Sequence, residues 1–231
     1  MKVSGIFGAS TASGSMGQVT ASHNRGGLYL KQRVVPTNPK TSRQNTVRTL
    51  MAQLMVLWSS TLTEAQREAW ALYASNVQVL DTLGVPRNIT GVNHYVRSNL
   101  VILQAGGTRV DAGPTTFTLP EPDGAFALSV SAATNQFSVV FTDTADIWDL
   151  ADNYMILYCG QPQSAGVAYF GGPWRYAGNF EGAVADPPTT PEVIDLPFVA
   201  TEGQNIWGYA RIALADGRVT NPFRDSCIVA A

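Results

Sequence analysis

Short strand-like runs fill the second half of this 231-residue chain and constrain its fold more than any other feature. Within the runs, apolar and polar residues alternate, as in Phe137, Val139 and Phe141, so one face of each strand is suited to a core. Turn sequences rich in Gly, Pro and Asp separate them. This spacing is typical of an antiparallel β-sandwich of the immunoglobulin-like kind. Strands are predicted at residues 125–131, 136–142, 154–160, 167–170, 174–177, 192–198, 205–214 and 227–230.

Three short helices are predicted in the first half, so the fold class is α+β. Capping-box patterns begin at Thr41 and Thr63, and each precedes residues with apolar side chains at helical spacing. A third helix is expected from Thr90 to a stop at Gly106. Three helices this short bury only a small core. We therefore expect them to rest on a further surface.

The N-terminal segment combines small residues with a possible hairpin. Residues 1–16 are rich in Gly and Ser and predict a flexible arm, which Phe7 could help to order against a partner. Residues 17–35 predict a hairpin with one basic face. The predicted domains are the arm at 1–16, a basic hairpin plus helical anchoring domain at 17–110, a Pro-rich linker at 111–123, and an acidic β-sandwich at 124–231.

The two halves of the chain carry opposite net charges. Residues 1–110 carry eleven Lys and Arg against three acids, a net charge of +8, whereas residues 111–231 carry four Arg against fourteen acids, a net charge of −10. The basic residues could contact an acidic protein surface or phosphates, or simply face solvent. Because the chain supplies its own acidic complement, self-association is favoured. The predicted partner-binding residues are Phe7, Arg25, Tyr29, Lys31, Arg33, Lys40, Arg43 and Arg48.

No catalytic, cofactor or metal site is predicted. His94 has no Cys or His at ligand spacing and is interpreted as a surface or half-buried helix residue. The acidic run that includes Asp143 and Asp152 lacks the EF-hand order and is interpreted as a solvated turn. Cys159 and Cys227 are expected to be buried free thiols, with a disulfide as the alternative. No membrane segment or signal peptide is predicted.

Several motifs in residues 14–105 resemble a group of bacteriophage and prophage proteins. They are Asn38-Pro39 followed by Thr41 and Gln44, and Leu62-Thr63 followed by Gln66-Arg67 and Trp70, after a Gly-rich start. The resemblance implies a virion structural or assembly component with a C-terminal immunoglobulin-like domain, located in the virion. It implies no catalytic residue, and it does not distinguish a capsid decoration protein from a neck or tail component.

The leading hypothesis is therefore a non-enzymatic virion structural protein that contacts other virion proteins and copies of itself. A rival hypothesis is a carbohydrate- or receptor-binding module whose glycan platform would be formed by aromatic side chains. The platform residues would be Trp148, Trp174, Tyr176 and Trp207. Binding of nucleic acid through residues 25–48 is a third possibility, which the scarcity of aromatic residues there disfavours.

Overall fold

The computed structural model describes residues 2–4, 11–24, 27–35, 37–80, 85–142, 150–183 and 187–231, with side chains from residue 14 onward except 23–24. The chain divides into two compact units, Met1–Ser42 and Arg43–Ala231. We call the first the N-terminal unit and the second the body. Three helices and several antiparallel sheets make the fold mixed α+β, as predicted.

The N-terminal unit is an antiparallel meander. Its strands are β1 (Lys2–Ser4), β2 (Thr11–Met16), β3 (Val19–Asn24) and β4 (Gly27–Gln32), hydrogen-bonded in chain order. Gly17 has a φ of +58° in the turn between β2 and β3, a conformation that glycine adopts without strain. The predicted hairpin corresponds to β3 and β4. We predicted a flexible arm for residues 1–16, whereas the described parts of that segment form two strands, because ladder hydrogen bonds need no large side chains.

The helices of the body begin and end close to the predicted positions. They are α1 (Ser42–Ser60), α2 (Glu64–Asn76) and α3 (Gly91–Ala105). The capping box predicted for α2 is present, since Thr63 and Gln66 each accept a backbone N–H. Thr90 caps α3, and Gly106 ends it with a φ of 92°. A small two-stranded ladder, β5 (Val79–Leu80) with β6 (Pro86–Arg87), lies between α2 and α3 in sequence.

Two larger sheets share one hydrophobic core. The strands are β7 (Ala127–Ser131), β8 (Gln136–Val140), β9 (Tyr154–Gly160), β10 (Trp174–Glu181), β11 (Glu192–Asp195), β12 (Asn205–Ala213) and β13 (Phe223–Ile228). They form a three-stranded sheet in the order β11-β8-β7 and a four-stranded sheet in the order β10-β9-β12-β13. Phe137 and Val139 of the first sheet and Met155, Leu157 and Ile206 of the second are completely buried in this core.

The opposite face of the four-stranded sheet, which we call the outer face, packs against α3. Val101 and Ile102 of the helix cluster with Tyr154, Ile156 and Ala213 of the sheet. Consequently β9 is buried on both faces, a pattern that distinguishes it from strands with one solvated face. The further surface that the small helical core was expected to need is thus provided, for α3, by the chain's own sheet.

Seven of the eight predicted strands occur, and the eighth prediction is wrong. Residues 167–170 form no strand. The reason is visible in Phe170, whose ring lies 5.8 Å from the ring of Trp207 and 5.0 Å from that of Trp174, so the segment folds inward as a loop. The immunoglobulin-like assignment goes beyond these observations and stays a proposal.

The chain divides at a different point from the one we predicted. Residues 106–126 contain no helix or strand, in keeping with a connection, yet they are fixed to the helices. Asn99 donates to the carbonyl oxygen of Val110 at 2.9 Å and accepts the Val110 N–H at 2.7 Å. Trp70 donates to the Asp111 carbonyl at 3.0 Å. These contacts join the helices and the sheets into one body, so the division falls before α1.

Candidate functional surfaces

The predicted partner-binding residues do not form one patch. Phe7 and Arg25 lie outside the described residues. Tyr29, Lys31 and Arg33 alternate along β4 and just after it, on the face opposite Leu28 and Leu30, and all three are exposed. Lys40 is also exposed and lies in the segment that leads into α1. The remaining two, Arg43 and Arg48, belong to α1 in the body.

Most of the apolar side chains described in the N-terminal unit are exposed. Ala21 is the only buried residue among the side chains described in that unit. Met16 and Leu30 are 68% and 64% exposed, and Val34 and Val35 are 78% and 79% exposed. A four-stranded sheet usually needs a covered apolar face for independent stability. Over the side chains that the structure describes, this unit has the backbone hydrogen bonds of a sheet without a core.

Helix α1 has a second exposed apolar surface. Leu54 is its one fully buried side chain, whereas Met51, Met55 and Val56 are 45%, 49% and 61% exposed. Met51 lies at helical spacing from Leu54 and from Met55, as a member of a packed stripe would, yet both methionines are exposed. Because α2 and α3 contact each other more closely than either contacts α1, only the Leu54 side of α1 reaches the helical core.

Arg43 has an intramolecular role. Its guanidinium lies 4.2 Å from the centroid of the Tyr176 ring, within the range of a cation–π contact, and it donates to Oε1 of Gln104 at 3.1 Å. The same Gln104 oxygen accepts the hydroxyl of Tyr158 at 3.2 Å. Arg43 therefore connects the start of α1 to the end of α3 and to the sheet.

His94 is completely buried, contrary to the prediction that it lies at or near the surface. The reason is that α3 is covered on one side by α2 and on the other by the sheet. Its ring meets the Tyr73 ring edge-on at 5.0 Å, and neither ring nitrogen has a hydrogen-bond partner. Burial and then the Arg97 charge lower the pKa of His94 to about 4. The imidazole is therefore neutral at pH 7, and its complete burial places it in the core.

Arg97 is a half-buried cation held by backbone oxygens. It donates to the carbonyls of Val219 at 3.1 Å and Thr220 at 2.9 Å, so it fastens α3 to the loop that follows β12. Burial, with a smaller effect of Arg211, lowers the pKa of Arg97 to about 10. The residue stays charged at neutral pH and acts in packing.

The outer face carries a continuous series of aromatic rings, which we call the aromatic row. Trp207 stacks on Phe170, Phe170 meets Trp174 edge-on, and Trp174 meets Tyr209 edge-on at 4.9 Å. Tyr209 stacks on Tyr158 at 4.6 Å, and Tyr158 meets Tyr176 at 5.9 Å. Guanidinium groups flank the row. Arg224 lies 5.3 Å from the Trp174 ring, Arg211 lies 5.9 Å from the Tyr209 ring, and Arg43 covers Tyr176.

The structure brings together three of the four predicted platform residues, but none of the three is fully exposed as a glycan platform would require. Trp174 is half-buried, Tyr176 lies beneath Arg43, and Trp207 is only 8% exposed. Trp148 lies outside the described residues. Sequence reasoning missed Tyr169, which is 74% exposed beside the row. It also missed the row itself, although the alternation of Trp207 with Tyr209 along one strand would have placed both rings on one face.

The two cysteines and the acidic run are the other residues that the sequence singled out. Cys159 and Cys227 are free, since strand β12 separates β9 from β13, and burial raises the pKa of Cys159 to about 12. The acidic residues at 143–149 lie outside the described residues, so the interpretation as a solvated turn stays a prediction. Within the described ranges no group of His, Cys, Asp and Glu could hold a metal ion. None of the described helices is long and apolar enough to cross a membrane.

Comparison with known proteins gives no relative. No protein-family model, no curated protein and no solved structure matches this chain.

Proposed function

We propose that this protein is a non-enzymatic structural component of a bacteriophage virion, which assembles with copies of itself through its N-terminal unit. The observation that carries the proposal is the contrast between a meander with exposed apolar side chains and a body with a complete core. A sheet whose only buried described side chain is Ala21 gains stability when a partner covers it.

Charge supports a second copy of the chain as that partner. The N-terminal unit carries five basic residues and no acid, a net charge of +5. The body carries ten Arg against seventeen acids, a net charge of −7. The N-terminal unit therefore contains basic residues alone, and every acidic residue of the chain lies in the body. Opposite charges of this kind favour head-to-tail contact between the N-terminal unit of one copy and the body of the next.

The exposed side of α1 extends the surface available for assembly. Met51 and Met55 offer flexible apolar side chains that adapt to a partner surface. The helix contains two arginines and no acid. A basic and apolar helix of this kind fits an acidic partner better than solvent.

The virion setting is proposed from the sequence resemblance and is supported by the strand order. The orders β11-β8-β7 and β10-β9-β12-β13 agree with the orders E-B-A and C′-C-F-G of an immunoglobulin-like domain. We assign the body to that class as part of this proposal. Whether the protein occupies the capsid surface, the neck or the tail does not affect the assembly surface proposed.

Light scattering after size-exclusion chromatography tests the assembly. We expect the full chain to form oligomers at low salt and to dissociate as salt rises, because exposed ion pairs weaken with screening. The double variant Lys31→Glu/Arg33→Glu removes basic side chains of β4 and is expected to be monomeric at both salt concentrations. Arg87→Glu is the matched control, since Arg87 is an exposed arginine of the body.

A full chain that stays monomeric at every salt concentration would contradict the assembly role. Binding of nucleic acid would be indicated instead if the chain shifted duplex DNA in a salt-dependent manner while remaining monomeric without it. The virion setting is tested separately, by mass spectrometry of purified particles. Absence of the chain from purified particles would overturn the proposed location in the virion.

A further inference from the structure

The aromatic row ends at an open cleft. At the Tyr176 end, α3 and Arg43 cover the rings. At the other end, the loop between β9 and β10 and the edge strand β13 enclose a cleft of about 290 Å³. Its lining consists of Tyr169, Phe170, Trp207, Arg224, Asp225 and Ser226. Pockets for small molecules typically begin at roughly 300 Å³ and combine apolar walls with a few polar groups, so this cleft fits one small ligand ring.

The ring of Tyr169 gives the cleft an accessible aromatic wall. It is 74% exposed, whereas Phe170 and Trp207 behind it are each only 8% exposed and stack on each other. The two buried rings fix the base of the cleft. An exposed aromatic ring beside a fixed aromatic base gives a ligand a flat apolar face to lie on.

The polar side of the cleft contains a donor and a hydroxyl, Arg224 and Ser226, which lie on the same face of the sheet as Trp207 and Tyr209 of β12. Asp225 lies between them in sequence, but its carboxylate is on the opposite face of the strand, where it accepts the Leu128 N–H at 2.7 Å through Oδ2. The Arg224 guanidinium lies against Trp174 and makes no ion pair with a described carboxylate. Ser226 follows two residues later along β13 and is exposed. An arginine can donate several hydrogen bonds, and a hydroxyl both donates and accepts.

We propose that this cleft binds a neutral saccharide ring. The C–H face of a pyranose would lie on the Tyr169 ring, while its hydroxyl groups would reach Arg224 and Ser226. A sugar hydroxyl both donates and accepts, so it can accept from the Arg224 guanidinium and exchange a hydrogen bond with the Ser226 hydroxyl. The site differs from the platform that the sequence predicted, because the contacting residues belong to the loop and to β13.

A neutral ligand is favoured over a charged polymer by the charge of the body. A net charge of −7 repels nucleic acid and acidic polysaccharides at long range. Nucleic acid would also need successive exposed ring faces, whereas the row beyond Tyr169 is half-buried or buried.

A glycan array probed with the full-length protein tests the proposal. The array contains neutral hexose and N-acetylhexosamine oligosaccharides beside sialylated and sulfated ones. We expect signals on neutral glycans, and the dissociation constant for one of them is then measured by calorimetry. Tyr169→Ala and, separately, Arg224→Gln are each expected to weaken binding at least tenfold. Phe117→Ala is the control, because Phe117 is a partly exposed aromatic residue outside the cleft, and its binding is expected to stay unchanged.

Thermal unfolding shows whether each variant retains the fold, and we expect both to do so because Tyr169 and Arg224 are exposed. No signal on any neutral glycan would overturn the proposal. Equal affinity of wild type and both variants would overturn it as well, and so would binding restricted to the anionic glycans. Because all six cleft residues lie in the body, these outcomes are independent of the self-association measured with Lys31→Glu/Arg33→Glu.

Discussion

Strand β4 of the N-terminal unit and strand β9 of the body show how differently one chain stabilises its sheets. In β4, the side chains from Tyr29 to Gln32 are exposed and no residue is buried. In β9, six of seven residues are buried, because the two-sheet core lies on one face and α3 on the other. Strand β9 pairs with a strand on each side, and β4, an edge strand, pairs along its length with β3 alone. Ladder hydrogen bonds are thus present in both regions, and the largest difference between the two is burial.

The comparison shows which region of the molecule buries enough apolar area to be stable by itself. Net hydrogen bonds contribute modestly to stability, whereas burial of apolar area is the dominant favourable term in folding. The body therefore has the means to fold alone, and the N-terminal unit has the composition of a surface that a partner completes. The following predictions test this contrast.

The largest effect is expected from a cavity in the body. Phe137 is completely buried in the core shared by the two sheets. Phe137→Ala should lower the free energy of unfolding by about 3–5 kcal/mol, because it removes a large side chain that the neighbours cannot fully replace. Urea unfolding followed by tryptophan fluorescence measures this change. A loss below about 1 kcal/mol would contradict the claim that this core stabilises the body.

Acid should destabilise the body through His94. Its pKa is about 4 in the folded chain and 6.5 for an ordinary histidine, so the unfolded state binds more protons between these values. Stability is therefore fully present above pH 6.5 and is lost as pH falls, by about 1.4 kcal/mol per pH unit and about 3 kcal/mol in total by pH 4.

Urea midpoints between pH 7 and pH 4 measure this effect. His94→Gln is the matched control, because glutamine has similar polarity and does not titrate. The variant should lack most of the slope seen in the wild type over this interval. Equal slopes in the two proteins would show that other groups cause the acid sensitivity.

A smaller effect is expected where the connection between helices and sheets is fixed. Asn99→Ala removes both hydrogen bonds to Val110 and leaves the N–H and carbonyl of this half-buried residue without these partners, which should cost about 2 kcal/mol. Asn76→Ala is the control, since Asn76 is an exposed helix residue whose side chain donates only locally, to the Leu72 carbonyl and the Ser75 hydroxyl. Calorimetric unfolding compares the two, and equal losses would mean that the connection is not held by Asn99.

The smallest effect is expected in the N-terminal unit. Leu30→Ala removes an apolar side chain that is 64% exposed and should change the free energy of unfolding of the monomer by less than about 0.5 kcal/mol. The measurement is made at high salt, where the chain is expected to be monomeric. A loss as large as that of Phe137→Ala would show that Leu30 is buried in solution and would remove the contrast.

Local structure was largely predictable from the sequence. Thr63, Thr90 and Gly106 occupy the capping positions that their types favour, so the ends of α2 and α3 followed from short-range chemistry. Seven strands followed from alternation and turns for the same reason. The strand prediction for residues 167–170 was wrong because Phe170 packs on Trp207 in the aromatic row. Trp207 lies nearly forty residues further along the chain, so this contact could not be read from the local pattern.

The candidate surfaces were less predictable. The basic residues of β4 are exposed as expected. Arg43, in contrast, makes a cation–π contact with Tyr176, which lies more than a hundred residues away in sequence. The cleft beside Tyr169 combines a loop with an edge strand, and no motif connects them. Such sites depend on which elements become neighbours.

The sequence by itself determined the separation of charge, the helix ends and the alternation of the strands, because each depends on residues close together in the chain. The tertiary structure decided that α3 rests on the outer face and that His94 is buried. It also decided that the chain divides before α1 rather than within the residues 111–123. The physical reason is that burial is a property of surfaces brought together by the whole fold, and a surface left without a neighbour, as in the N-terminal unit, becomes evident only when the rest of the packing is known.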